Sequence, residues 1–263
     1  MAGWIQVVNG RIKSAIGRAL LGPQFLTTIP LPNLTNVSQE DIRGSSVFFP
    51  LVGVFLGILL WAMEMILRMV LPNLVSTSIA LTLYTLLTGA LHLDGLMDTA
   101  DALGSRKPRE QALEIMKDSR VGAMGVIAAL LVYTGKLAAL DSLPLSAFGV
   151  IVIPPVLSRF AMVLAMKMAP PARGNEGLAG LFAQKISLRT VWTATLVSIV
   201  FTFWFNPIWL GTMMWLACVL VAVLATTFLT RRFGGMTGDT YGALNEIVEW
   251  TGWILGLALL LHK

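Results

Sequence analysis

Long apolar runs separated by short polar or basic connectors set the pattern of this chain. A helix that crosses hydrocarbon needs roughly 20 mostly apolar residues. Seven stretches meet or approach that length: residues 47–70, 74–91, 121–140, 147–169, 191–205, 208–229 and 244–261. The fifth is the shortest and would span with help from its neighbours. Transmembrane strands alternate at period two over about 10 residues; these runs are continuous and longer, so helices are expected. The fold class is therefore an all-α polytopic membrane protein with about seven transmembrane helices, in one domain over residues 1–263.

Residues 1–45 stand apart as a cytoplasmic or interfacial segment with no uninterrupted apolar core, so no cleavable signal peptide is expected. Trp4, Ile5, Val8, Ile12, Ile16, Ala19 and Leu20 recur at helical spacing. That stripe suits a helix lying in the membrane interface or packed on the protein. Pro23, Pro30 and Pro32 are expected to end it.

Composition supports the membrane class. Only 13% of residues are charged and 56% are hydrophobic, which excludes disorder, a coiled coil and a disulfide scaffold. Cys218 is the single cysteine and cannot form an internal disulfide. The net charge of +5 matters less than where the charges sit. Residues 72–73, 141–146 and 206–207 connect spans without any Lys or Arg. The N-terminal segment and the three long connectors hold four, five, three and two, against Lys263 on the other side. By the positive-inside rule the basic side is cytoplasmic.

The same side holds the chemistry. Residues 92–120 carry 11 of the 33 charged residues, and within them runs His92-Leu-Asp-Gly-Leu-Met-Asp-Thr-Ala-Asp. The second span is expected to continue through this stretch as helix. Asp94, Asp98 and Asp101, spaced i, i+4, i+7, then share one narrow helical face. An unrelieved column of like charge destabilises a helix, and ordinary solvated faces interleave Lys or Arg. A hard divalent cation resolves the conflict: Mg²⁺ takes one or two carboxylates and keeps its remaining positions for water and substrate phosphates. His92 reads as a packed interfacial histidine rather than a ligand.

A short helix over 108–117 leads to Asp118 and Arg120, a further metal ligand and a phosphate-binding fork respectively, or else a helix-end ion pair. Residues 173–180 surround Asn175 with glycines that let a backbone approach a ligand. Residues 234–242 carry four glycines around Asp239 and Thr240, which read as a built site or as helix caps. Glu246 and Arg159 lie inside spans, and ionisable groups there are functional by default. Arg159 is placed to reach a phosphate or to pair with Glu246; Glu64 and Arg68 read as a local i, i+4 pair. A carboxylate column, Gly-rich loops and arginines on one face suit a metal-bridged diphosphate, and a membrane seat suits a bulky or amphipathic substrate.

These motifs resemble the cobalamin synthase family, the adenosylcobinamide-GDP ribazoletransferases. The likeness rests on residues 92–102, 114–122, 175–179 and 234–243, with residues 25–32 matching the family's N-terminal stretch. It implies a Mg²⁺-dependent multi-pass enzyme of the bacterial inner membrane, its site facing the cytoplasm. Such an enzyme joins adenosylcobinamide-GDP to α-ribazole or α-ribazole 5′-phosphate and releases GMP, in the last assembly step of vitamin B12. Carried onto this chain, Asp94, Asp98 and Asp101 are catalytic metal ligands with Asp118 a fourth. Asp98 or Asp101 is a candidate base, as is a metal-bound hydroxide. Arg120, Arg159, Asn175, Gly238, Asp239, Thr240 and Glu246 are candidates for substrate contact. The partners implied are these small molecules and the lipid bilayer; a homo-oligomer is compatible with them and no nucleic acid is expected. A CDP-alcohol phosphotransferase would carry Ala-Arg after the Asp-Gly and a later Asp-x-x-x-Asp, and neither is present. A cation transporter would place its acids at mid-bilayer on several broken helices, whereas these cluster at one face.

Overall fold

The computed structural model describes residues 15–32, 37–174, 182 and 186–262. The chain runs as α1 (Ala15–Leu26), α2 (Gln39–Ser45), a 3-10 turn, α3 (Phe49–Leu67), α4 (Asn73–Leu87), α5 (Leu91–Gly104), α6 (Arg109–Ile115), α7 (Ala123–Ser142) and α8 (Phe148–Met168). It continues as α9 (Leu188–Phe205), α10 (Ile208–Phe233) and α11 (Gly238–Leu261). Six helices are long and apolar enough to cross a membrane, or up to seven if α4 and α5 count as one bent span. The expected polytopic helical architecture holds, and the fifth span gains three residues at its start.

The second span does not continue straight. Between α4 and α5 the chain turns by 86°. Gly89 takes φ +62°. Its N–H donates to the Leu86 carbonyl and the Ala90 N–H to the Thr85 carbonyl, each at 2.9 Å. This 6→1 and 5→2 pair is a Schellman stop, for which glycine is the preferred residue. Ala90 is also left-handed, at φ +52°, a conformation that costs a non-glycine residue about 1–2 kcal/mol. α4, 15 residues long, and α5 are therefore long enough to span only as a bent pair, with α5 leaving nearly at a right angle.

Tight crossings build the bundle around α8, whose residues from Gly149 to Met166 are almost all buried. A Cβ on Gly53 or Gly57 of α3 would collide with the α8 backbone at Pro155 and Val152. Small residues at this spacing let membrane helices approach backbone to backbone. On the other side of α8, a Cβ on Gly252 of α11 would lie 2.8 Å from Pro154. Pro154 and Pro155 sit inside a helix that runs on through them. Outward faces of α3, α4, α7, α9 and α10 expose large apolar residues such as Phe55, Leu86, Leu130, Leu196 and Leu220, as a lipid-facing surface requires.

At the end away from the basic loops, Arg68 donates to Glu64 at 2.7 Å, and also to Thr77 and the Leu140 and Leu143 carbonyls. The local pair read from sequence thus also braces three helices. α1 runs through Pro23 to Leu26 rather than stopping there, forgoing the bond that Pro23 cannot donate to the Ala19 carbonyl. The apolar stripe over residues 4–12 lies outside the described residues.

Candidate active site

α5 is amphipathic. His92, Gly95, Leu96, Thr99 and Ala102 are buried at helical spacing, and this stripe packs on α11 and α7. Gly95 permits the closest crossing: a Cβ there would lie 2.7 Å from the Asp239 carbonyl oxygen. Opposite it, a Cβ on Gly242 would lie 3.0 Å from the His92 carbonyl. This backbone contact sets Asp94 and Asp98 beside Asp239 in the first turn of α11.

The carboxylates have unequal surroundings. The Asp98 carboxyl is pushed up to about 6, first by partial burial, then by Asp94, Asp239 and Asp101, with Arg173 opposing. A raised carboxyl marks a place where negative charge lacks compensation. The nearest fixed cation is Arg173, 3.7 Å from Asp239. Asp101 is different: its two oxygens accept from the Gly122 N–H at 2.7 Å and the Gly125 N–H at 2.8 Å. It caps α7 from across the site, satisfying donors that a helix start leaves free. Asp118 stays apart, forked onto Arg120 at 2.6 Å, and these hydrogen bonds hold its carboxyl down near 2. Arg120 is 87% exposed. Among the described residues, no three His, Cys, Asp or Glu converge to hold a metal by themselves.

The loops of this face interlock. The residues after α8 pair with those after α10 through a Pro171–Met236 bridge. Ala172 N–H donates to the Met236 carbonyl and Met236 N–H to the Pro170 carbonyl, each at 2.8 Å. Arg109 donates to the Ala172 carbonyl at 3.3 Å, Arg173 to Leu113 at 3.0 Å and Arg232 to Lys107 at 2.7 Å. Three connectors that are distant in sequence thus form one basic rim around the acids. α11 begins at Gly238, six residues before the expected span, and the cap is Thr237, in a capping box with Thr240. Asp239 is not the cap, and Thr240 contributes as the third residue of the box. Gly238 and Asp239 line a cleft with Asp94 and His92. Asn175 lies outside the described residues.

Two other site candidates are placed elsewhere. Arg159 pairs with Glu249, not with Glu246; its guanidinium also donates to Tyr84 at 2.9 Å and Ser158 at 3.0 Å. Glu246 takes Lys136 instead, at 2.7 Å, and Lys136 reaches Glu249 at the same distance. Tyr84 donates to Glu249 at 2.6 Å. Arg159 is 1% exposed and Glu249 fully buried. Sequence reasoning overlooked Lys136 and Glu249. Each is an ionisable residue inside an apolar run, the signal that singled out Arg159 and Glu246.

A family model described as cobalamin-5-phosphate synthase matches residues 18–258. An adenosylcobinamide-GDP ribazoletransferase of Syntrophobacter fumaroxidans is 41% identical over 244 residues, covering 90% of this chain and 95% of that one. One of Desulforamulus reducens is 38% identical over 245 residues, covering 91% and 95%. One of Thermoanaerobacter pseudethanolicus is 33% identical over 243 residues, covering 91% and 96%. No solved structure matches the chain. A match of this length takes in α5, the interlocked loops and α11 together, and the chain belongs to the cobalamin-5-phosphate synthase family.

Proposed function

We infer that the protein joins adenosylcobinamide-GDP to α-ribazole or its 5′-phosphate, releasing GMP, in the last assembly step of vitamin B12. The end-to-end family match carries this reading. The acids between α5 and α11 supply its chemistry. The ribazole hydroxyl forms a bond to the cobinamide-linked phosphorus as the bond from that phosphorus to the GMP oxygen breaks. GMP departs with that bond's electron pair.

Asp94 and Asp98 are the carboxylates we assign to Mg²⁺. They fit it: two acids one helical turn apart, with no basic side chain bonded to either among the described residues, need further oxygens that a diphosphate provides. When bound, the ion neutralises the charge that develops on the diphosphate. Asp239 and Arg173 complete the wall opposite α5, and Arg173 is the cation nearest the phosphates. Arg120 sits on the rim, free to exchange Asp118 for a phosphate. Both oxygens of Asp101 are engaged by backbone N–H groups, so Asp98 is the better acceptor for the hydroxyl proton. Asp101 instead fixes the start of α7 against α5.

We place the site at the cytoplasmic face of the bacterial inner membrane. The clustering of Arg106, Lys107, Arg109, Arg173, Arg231 and Arg232 at the site's end of the bundle supports that side. The test is to mix purified protein, Mg²⁺, adenosylcobinamide-GDP and α-ribazole 5′-phosphate. Stoichiometric GMP with a cobalamin phosphate product is expected. Intact adenosylcobinamide-GDP after prolonged incubation would overturn the reading.

A further inference from the structure

Beside the acids, the cleft changes character. Its inner wall is Phe25, Phe182, Met162 and Met166. The two phenyl rings lie with centroids 4.7 Å apart. Phe182, Met162 and Met166 are each at most 4% exposed. Two polar side chains interrupt this wall, His92 and Tyr241, 2% and 3% exposed. Among the described residues, neither the His92 Nε2 nor the Tyr241 hydroxyl has a hydrogen-bond partner. A buried polar atom left unpaired is costly, and an unpaired one in a native structure calls for an explanation such as a ligand or a catalytic role. Aromatic rings and thioethers favour the face of a planar ring.

Resting on the transferase reading above, we propose that this half of the cleft seats the bicyclic base of the ribazole, its ring among Phe25, Phe182, Met162 and Met166. His92 and Tyr241 hydrogen-bond the one ring nitrogen that is not glycosylated, or the sugar next to it. The alternative occupant is the guanine of the other substrate. Guanine presents several donors and acceptors along its edge. Two polar groups in an otherwise apolar wall would leave most of them unpaired, which disfavours it. A benzimidazole buries two apolar rings and has a single free nitrogen. Seated here, the base would place its ribose toward Asp94 and Asp239, which line the same cleft.

The subsite is tested apart from the reaction. α-Ribazole carries no phosphate, so equilibrium dialysis against the purified wild-type protein in EDTA should show saturable binding that guanosine does not displace. Met162→Trp fills the wall and Tyr241→Phe removes one polar handle. In steady-state GMP release the KM for α-ribazole should rise about tenfold or more in Met162→Trp and several-fold in Tyr241→Phe, the range such pocket changes produce. The KM for adenosylcobinamide-GDP should stay nearly constant. Should Met162→Trp not fold, the conservative Tyr241→Phe decides. Displacement by guanosine, a rise in the KM for adenosylcobinamide-GDP instead, or no change in either KM would overturn the subsite. If wild-type protein releases no GMP, the transferase reading fails, and dialysis alone still decides whether the cleft takes a benzimidazole.

Discussion

The molecule holds two groups of acids in opposite ways. Inside the bundle, Glu246 and Glu249 meet Lys136 and Arg159, two charges against two, with Tyr84 and Ser158 adding hydrogen bonds. The formal charges balance, the Arg159 Nε is left without a partner among the described residues, and almost no surface is exposed. At the bundle's end, Asp94, Asp98 and Asp239 crowd together with only Arg173 near, and the Asp98 carboxyl rises in response. A charge-balanced cluster in apolar surroundings joins helices; its cations are already held by its own carboxylates. An under-compensated cluster in a cleft is incomplete until a cation arrives. Charge density alone does not separate the two, but pairing does. Arg159 and Glu246, read from sequence as substrate contacts, belong on this evidence to the first kind.

The largest effect expected from breaking this contrast is at Glu249. Glu249→Ala leaves Arg159 without a carboxylate and Lys136 with Glu246 alone in the apolar interior, and removing one partner of a buried pair costs about 3–5 kcal/mol. Little monodisperse protein should survive detergent extraction, read by size-exclusion chromatography. Asp94→Ala should do the reverse. Turnover should fall about a hundredfold or more, read as GMP release, while insertion and melting midpoint hold. Residual activity above about a tenth of wild type would break the assignment. Asp101→Ala lies between: it uncaps α7, worth about 1 kcal/mol as helix caps go, and thermal melting should show a modest loss. Smallest is Arg120→Ala, whose exposed pair with Asp118 should leave the melting midpoint unmoved.

How much of this was legible follows from what periodicity can report. The spans stand out because each is a long apolar run, and Asp94, Asp98 and Asp101 because helical spacing aligns them. The break at Gly89-Ala90 was hidden because apolar residues continue on both sides; only Gly89, a residue suited to a left-handed stop, marked it. The early start of α11 was hidden for a related reason. Gly238, Asp239 and Gly242 look like loop chemistry, yet tertiary contacts bury most of that turn. Asp101's role required knowing that the glycines of α7's first turn pack onto it, which no local pattern in α5 encodes.

The central claim is that the α5 carboxylates act through a divalent ion that the buried network cannot hold. It is tested most directly by titrating Mg²⁺ into EDTA-treated protein and following GMP release from adenosylcobinamide-GDP and α-ribazole 5′-phosphate, in wild type and Asp98→Asn. The account predicts no release without Mg²⁺, recovery on adding it, and a half-saturating concentration shifted upward about tenfold or more in the variant. Equal release in EDTA, or an unshifted titration in Asp98→Asn, would contradict it.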